Sequence, residues 1–573
     1  MDCVRIDVAA ERDSIFGLQP TPEFGTLRTG LNPMEPTTSH SMPEGRGAGT
    51  MASVWRPLRG RTFRDLLIAD IFSDVGTFMQ TVGAAWLMVS LRAGPMYVAL
   101  TQTASALPFF LFALLAGALG DIVDRRKLIL FTEIWMALVA IALAALVITG
   151  FISPWLLLAL TFALSAGDAF ETPTWRAVLP ELVAKEDLEA ASALNGIEFN
   201  LARAIGPGLA GVLIATFGIG TAFVVNAASF VGVIYVVARW KRPHQKRTAP
   251  AEKVVGATIA ALRYVRYSTA VRALIIRAGA VMFFASALLA LLPTVAHNVS
   301  RNPIAFGLLL GCFGSGAVLG ALILQPARAR WRTETVASVG VAILGIATIA
   351  VSILPQLLSL SMVMLIGGAA WIIFISLVTA LVQKLAPDWV RARVVAVFML
   401  VFQGGMAAGS AVWGIVGQHA GVSSSLMWAG LGAIATTGLG LLWKLPDTTL
   451  DVTPWNHWRM PVIPDDLVLV PQSGPVLVTV EYVVDRDHAP DFLKAMHRYQ
   501  RIRRRDGASR WGIYRDTEHP DLYLETFIVS SWAEHLRQHE RFTHADRVLE
   551  NRINSCTLRE PKVRHLIYAA PKP

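Results

Sequence analysis

Between residues 62 and 444 the chain is a succession of apolar runs, each about as long as a lipid bilayer is thick. A helix needs ~20 mostly apolar residues to cross the hydrocarbon layer. Twelve runs meet that length: 63–91, 96–119, 128–149, 154–173, 195–217, 220–239, 272–297, 304–326, 333–353, 358–384, 392–418 and 422–444. The first expectation is therefore an all-α polytopic membrane protein. An even number of spans returns both termini to one side. Only 16% of the residues are charged, where a soluble chain carries about 25%. The deficit falls within 62–444, while 1–61 and 445–573 read as water-soluble.

Charge in the short loops sets the orientation. Arg125, Arg126 and Lys127, then Arg176 and Lys185, then a run from Arg239 to Arg272, then Arg328, Arg330 and Arg332, then Lys384, Arg391 and Arg393 all fall on one side. The other side holds Arg92 and Arg301 and little else. Lys and Arg in short loops stay in the cytoplasm, so both termini are expected there. The net charge of +10 then reads as bases facing anionic head groups, with no call for nucleic acid.

The loop 240–271 divides the spans six and six, the hydropathy pattern of a two-lobed transporter built from repeats. It carries an amphipathic segment, 254–267, with Arg263 and Arg266 on its polar side, expected to lie in the membrane interface. The domain reading is a disordered tail 1–54, a first lobe 55–240, a central loop 241–271, a second lobe 272–446, a proline-rich linker 447–475 and a soluble domain 476–570. Met51 is an alternative start. In the last domain the pattern reads strand, helix, strand, strand, helix, strand, which is a ferredoxin-like α+β order. Phe492, Met496 and Tyr499 fall on one face of its first helix.

Several polar residues lie where lipid or protein should surround them. Asp70 and Asp74 share a face of the first helix, and Asp74 lies ~15 Å from the near end. A buried carboxylate costs several kcal/mol unless it is paired or protonated, so Asp74 reads either as a proton- or substrate-coupling group or as a structural acid. Helix five holds Glu198 and Arg203; Arg203, ~12 Å deep, needs a partner, with Asp168 and Asp74 the candidates. Gln80, Gln102 and Gln403 read as packing glue or cavity lining. Gly206 and Pro207 are placed to kink helix five, with Gly211 a turn beyond.

Cys3, Cys312 and Cys556 are too scattered for a disulfide framework. Neither a CxxC nor an HExxH pattern occurs, and no phosphate-binding Gly-x4-Gly-Lys motif points to ATP. The expectation is no cofactor, no metal and no catalytic site. His488, His497, His519, His535, His539 and His544 read as a solvated face, although His535 and His539 are one helical turn apart.

The hairpin from Gly117 through Asp121 to Arg125 and Arg126 resembles the loop signature of the major facilitator superfamily, with Ile122 and Asp124 departing from it. The stretch Ile205 to Gly211 resembles that superfamily's exporter signature, with Ala210 in place of one glycine. A set spanning the chain is similar to the transmembrane secretion effector branch: Trp55 to Arg59, Ser73 to Gly76, Phe170 to Arg176, Leu179 to Glu181, Ala193 to Asn195, and Ala386 to Val394. The C-terminal part is similar to antibiotic-biosynthesis-monooxygenase-like domains, which often act without a cofactor and pair as dimers. The resemblance implies a twelve-helix, six-plus-six fold. It implies a gate latch in which Gly117 lets helices approach and Asp121 caps a neighbour or pairs with Arg125; topogenic charge alone is the other reading. It also implies a proton-coupled exporter of a small amphipathic molecule, siderophore or drug-like, with a possible homodimer through the last domain. The competing readings are a membrane-tethered enzyme, with the tail domain doing chemistry, and a non-transporting sensor.

Overall fold

The computed structural model describes residues 55–240, 254–443, 445, 451–455 and 470–569. The tail with Met51, most of the proline-rich linker and the first part of the central loop lie outside the described residues.

Every expected apolar run is helical. The first lobe comprises α1 (Arg61–Ser90), α2 (Pro95–Ile122), α3 (Arg125–Ile148), α4 (Pro154–Leu182), α5 (Leu188–Phe217) and α6 (Gly220–Arg239). The amphipathic α7 (Val254–Tyr267) follows. The second lobe comprises α8 (Thr269–Val299), α9 (Pro303–Arg330), α10 (Thr333–Ile353), α11 (Leu357–Leu385), α12 (Arg391–Ala420) and α13 (Val422–Thr436), continued by the short α14 (Leu439–Leu442). Local chemistry sets the boundaries. Asp124, Ser153 and Asn302 cap α3, α4 and α9 by accepting bonds from free backbone N–H groups, which a helix start leaves unpaired. At the far ends of α5 and α12, Gly218 (φ +88°) and Gly421 (φ +87°) adopt a backbone that side chains resist.

Ten of these helices are long and apolar enough to cross a membrane. The two that fall short, α1 and α4, are 30 and 29 residues long and pack among the others. Acids inside them lower their hydropathy: Asp70 and Asp74 in α1, Asp168 and Glu171 in α4.

The two lobes repeat one packing scheme. In the first, α1 packs on α5 and α6, α3 on α4 and α6, and α2 on α4. In the second, α8 packs on α12 and α13, α10 on α11 and α13, and α9 on α11. The lobes meet along two seams, α2 with α12 and α5 with α9. The Thr103 hydroxyl donates to the Ala407 carbonyl across the first (3.1 Å).

The C-terminal domain is a four-stranded antiparallel sheet, β1 (Val476–Val483), β2 (Ser509–Arg515), β3 (Leu522–Val529) and β4 (Lys562–Ile567), in the order β2-β3-β1-β4. Helix α15 (Ala489–Arg505) joins β1 to β2, and α16 (Trp532–Arg541) and α17 (His544–Asn554) join β3 to β4. This is the ferredoxin-like order. Phe492, Met496 and Tyr499 are buried on the sheet. At the centre, Glu525 accepts from Arg503 Nε (3.0 Å), Trp511 Nε1 (2.8 Å) and Tyr482 Oη (3.0 Å). On α16, desolvation and the neighbouring His539 and His565 push the His535 imidazole down to about 3.

This domain sits on α7. Arg263 of α7 pairs with Glu534 (2.9 Å) and donates to the Arg505 carbonyl (3.1 Å). Arg541 stacks over Trp389, 4.6 Å from the ring centre, and the Tyr264 hydroxyl donates to the Leu385 carbonyl (2.9 Å). The sequence placed α7 in the membrane interface with Arg263 and Arg266 on its polar side. In the structure Arg263, on that side, faces the C-terminal domain.

Candidate functional site

Six carboxylates gather inside the first lobe. Helix α1 supplies Asp70 and Asp74, α3 supplies Glu133, α4 supplies Asp168 and Glu171, and α5 supplies Glu198. Asp74 and Glu198 hydrogen-bond to each other between α1 and α5. Glu133 and Glu171 do the same between α3 and α4. Two carboxyl groups can share a hydrogen bond only when one carries a proton, so each pair can hold one. Glu133 and Glu198 are 3% and 7% exposed, and Glu133 Oε2 and Glu198 Oε1 find no partner among the described residues. The remaining contacts steady the acids: Trp175 bonds Asp70, Thr172 Oγ1 donates to Asp168 Oδ1 (3.0 Å), and Thr132 Oγ1 donates to Glu171 Oε2 (3.1 Å).

One cation sits beside the Asp74–Glu198 pair. Arg203, five residues after Glu198, lies over the rings of Phe199 (5.0 Å) and Phe78 (5.9 Å). Of the two partners the sequence left open, Asp74 is the one whose charge acts on it. Asp168, held by Thr172, acts on Asp74 instead. An acid pair flanked by a guanidinium and two aromatic rings offers a proton, a fixed charge and an apolar wall in one place.

Glu133 and Glu171 escaped the sequence reading. Glu133 is a lone acid six residues into the run 128–149. Glu171 follows Asp168 by three residues, so the two share a face of α4. That spacing was visible within the run 154–173, but which faces of α3 and α4 meet was not.

Gln80 does not belong to this cluster. Asn226 Nδ2 of α6 donates to Gln80 Oε1, and both side chains are buried. The pair fastens α1 to α6.

The α5 glycines make close contacts on two sides. A Cβ on Gly206 would fall 2.7 Å from Phe78 Cβ on α1. A Cβ on Gly211 would meet Pro303 O and Ile304 Cα of α9 at 3.1 Å, and one on Gly307 would fall 2.5 Å from Pro207 O. Pro207 lies within an unbroken α5. These small residues let α5 and α9 touch backbone to backbone across the lobes. Gly307→Leu is expected to force that seam apart and cut transport at least tenfold with normal membrane insertion; transport assays on matched amounts of membrane protein check it.

The expected latch residues lie at the end of α2 and the start of α3. A Cβ on Gly117 would meet nothing within 4 Å among the described atoms, so no helix closes on it here. Asp121 is in the last turn of α2, and its side chain lies outside the described residues. Arg125 Nη1 donates to Glu181 Oε1 (2.9 Å) and the Ala177 carbonyl (2.8 Å) of α4. Arg126 donates to the Val237 and Ala238 carbonyls (3.0 and 2.6 Å) at the end of α6, where a helix leaves carbonyls unpaired. These bonds tie the hairpin to its own lobe.

The second lobe has a counterpart. Arg277 of α8 makes a bidentate pair with Glu334 of α10 (2.7 and 2.8 Å) and donates to the Trp443 carbonyl (3.1 Å). The Leu445 N–H donates to Glu334 Oε2 (2.8 Å). Glu334, two residues beyond Arg332, is the acid of this pair.

Twelve packed helices in two like lobes, with acids and a base gathered inside the first, define a membrane transporter. A family model described as transmembrane secretion effector matches residues 52–572, and the chain belongs to that family of major facilitator transporters. It is 25% identical over 427 residues to the multidrug efflux pump Tap of Mycobacterium tuberculosis (strain ATCC 25618 / H37Rv), covering 70% of this chain and 98% of that one. It is 26% identical over 265 residues to the enterobactin exporter EntS of Citrobacter koseri, covering 45% of this chain and 62% of that one. Among solved structures it is similar to the nucleoside transporter NupG (TM-score 0.52, 13% identity, 67% of this chain and 99% of that one). It is likewise similar to a bacterial homolog of the human lysosomal transporter Spinster, inward-facing and unoccupied (TM-score 0.52, 15% identity, 68% and 95%). The structural likenesses show the fold. The chain is a multi-pass membrane transporter of small molecules and not an enzyme.

Proposed function

We propose that the protein is a proton-driven exporter of small amphipathic molecules in the inner membrane of a bacterial cell, with both termini in the cytoplasm. The observation that carries this reading is the Asp74–Glu198 pair with Arg203 beside it. The relatives named as a multidrug efflux pump and an enterobactin exporter support the substrate class and the direction.

The arrangement of the lobes supports a cycle. Gln418 of α12 lies against Gly94 at the start of α2, and Trp86 packs on His297 (5.5 Å) and Phe306 (6.3 Å). All of these are at the end opposite the hairpin. With the basic loops inside, these contacts close the outer end, as an inward-facing state requires. In it the acid pair releases its proton to the cytoplasm and accepts the polar end of a substrate, while Phe78 and Phe199 take the apolar part. After the lobes rock, protonation from outside discharges the substrate. Gly117, Asp121, Arg125 and Arg126 then act at the inner gate, and Asp70 and Asp168 lie along the proton path. The C-terminal sheet has the order expected of a monooxygenase-like domain. The exposed Leu566 and Tyr568 on and beyond its edge strand β4 support homodimerisation through it.

Cells with and without the gene, loaded with ethidium or a catecholate siderophore, test the reading. The gene should lower accumulation of at least one probe several-fold, and an uncoupler should erase the difference. Equal accumulation of every probe in both strains, or a difference that survives the uncoupler, would contradict it.

A further inference from the structure

The C-terminal domain holds a cluster that the transport cycle does not use. His535 and His539 lie one turn apart on α16, and His565 faces them from β4. The His535 ring centre is 4.7 Å from that of His539 and 4.6 Å from that of His565. The His535 and His539 Nε2 atoms are 3.1 Å apart. One ligand nitrogen from each of the three lies within 4.8 Å of the others. The 3.1 Å separation is close to the ~3.4 Å between two nitrogens that share one tetrahedral metal ion at ~2.0–2.1 Å each, and a small turn of the His565 ring would bring its nitrogen within the same reach. His535 is 2% exposed, and His565 Nε2 is buried with no hydrogen-bond partner among the described residues. Such an orphan is uncommon in a folded interior and asks for an explanation.

We propose that His535, His539 and His565 form a binding site for a divalent transition-metal ion of the zinc type. Imidazole is a preferred ligand of zinc, nickel and copper. Two ligands one turn apart on a helix, with a third from a strand, leave a fourth position open. That position faces a small pocket lined also by Val478, Phe527 and Phe542. Ile502 extends that apolar wall, and Asp506 and Gln538 complete the lining beside the histidines. The one strong objection is Arg503, which also lines the pocket. Its charge is taken up by the bidentate bond to the fully buried Glu525 (3.0 and 3.2 Å), so a cation is not repelled.

The site also lies at the joint with the membrane part. Glu534, next to His535, pairs with Arg263 of α7 and with Arg541. Metal on α16 therefore fixes the helix that docks the domain to the transporter.

The test uses the tagless full chain in detergent, stripped with chelator and titrated with zinc against a competing chromophoric chelator. Cobalt absorption reports imidazole coordination. Wild type should bind one equivalent that is lost, or weakened at least tenfold, in His535→Ala and His565→Ala. His519→Ala, at an exposed site, should keep it. Because His535 is buried, His539→Gln serves as a milder variant and should lose the same equivalent. Zinc should raise the unfolding temperature of wild type and not of the variants. Unchanged stoichiometry and affinity in all three ligand variants, or no binding to wild type at micromolar zinc, would overturn the proposal.

Discussion

Asp74→Asn and Glu198→Gln should each cut proton-driven export at least tenfold while leaving the amount of protein in the membrane unchanged. Both amides nearly match the size of the acid they replace and still donate and accept hydrogen bonds, so α1 and α5 keep their packing. What they lose is the ability to take up and release a proton. A carrier whose coupling site cannot titrate loses the coupling outright, so the effect exceeds that of removing one ordinary contact, ~0.5–1.5 kcal/mol. The two acids act through one shared hydrogen bond. The double variant should therefore be no worse than the more severe single one, the non-additivity expected of contacting residues. Uptake into everted membrane vesicles, normalised to immunoblotted protein, measures this. Single variants that keep wild-type transport would show that the pair is structural.

The second large effect is on stability. The Arg277 side chain is 5% exposed and its charge is met by Glu334. Glu334→Ala would leave that charge in the protein interior with only the Trp443 carbonyl to face. Breaking a buried pair from one side costs about 3–5 kcal/mol, whereas replacing both partners with apolar groups is often close to neutral. Thermal unfolding in detergent should thus show a fall of several degrees for Glu334→Ala and Arg277→Met, with the double change Arg277→Met, Glu334→Leu recovering much of it. Three indistinguishable melting curves would mean that the pair contributes nothing to holding α8, α10 and the end of the last helix together.

Much of the fold was legible because lipid imposes one simple demand on length and polarity. All twelve runs became helices, and the six-plus-six division reappeared as a repeated packing scheme. The helix ends were less legible. Helix α4 runs on to Leu182 through Pro173 and Pro180, because each proline loses a single backbone bond that neighbouring helices tolerate. The acids of Asp74, Asp168 and Glu198 were found as isolated charges in apolar stretches. Their pairing was not, since it depends on which faces meet. Arg125 shows the same limit: it touches Glu181, fifty-six residues away, a contact that no local spacing announces. His565 completes a cluster with His535 and His539 only because β4 lies beside β1 in the sheet, a long-range pairing that no local spacing announces.

The most direct measurement is transport in proteoliposomes under an imposed pH gradient, with an exported probe identified in cells. Wild type should carry the probe against its own gradient toward the acidic side. Collapse of the pH difference should stop it, and Asp74→Asn and Glu198→Gln should stop it with the gradient intact. Concentrative transport that persists without a pH gradient, or that both variants perform like wild type, would contradict proton coupling through the buried carboxylates of the first lobe.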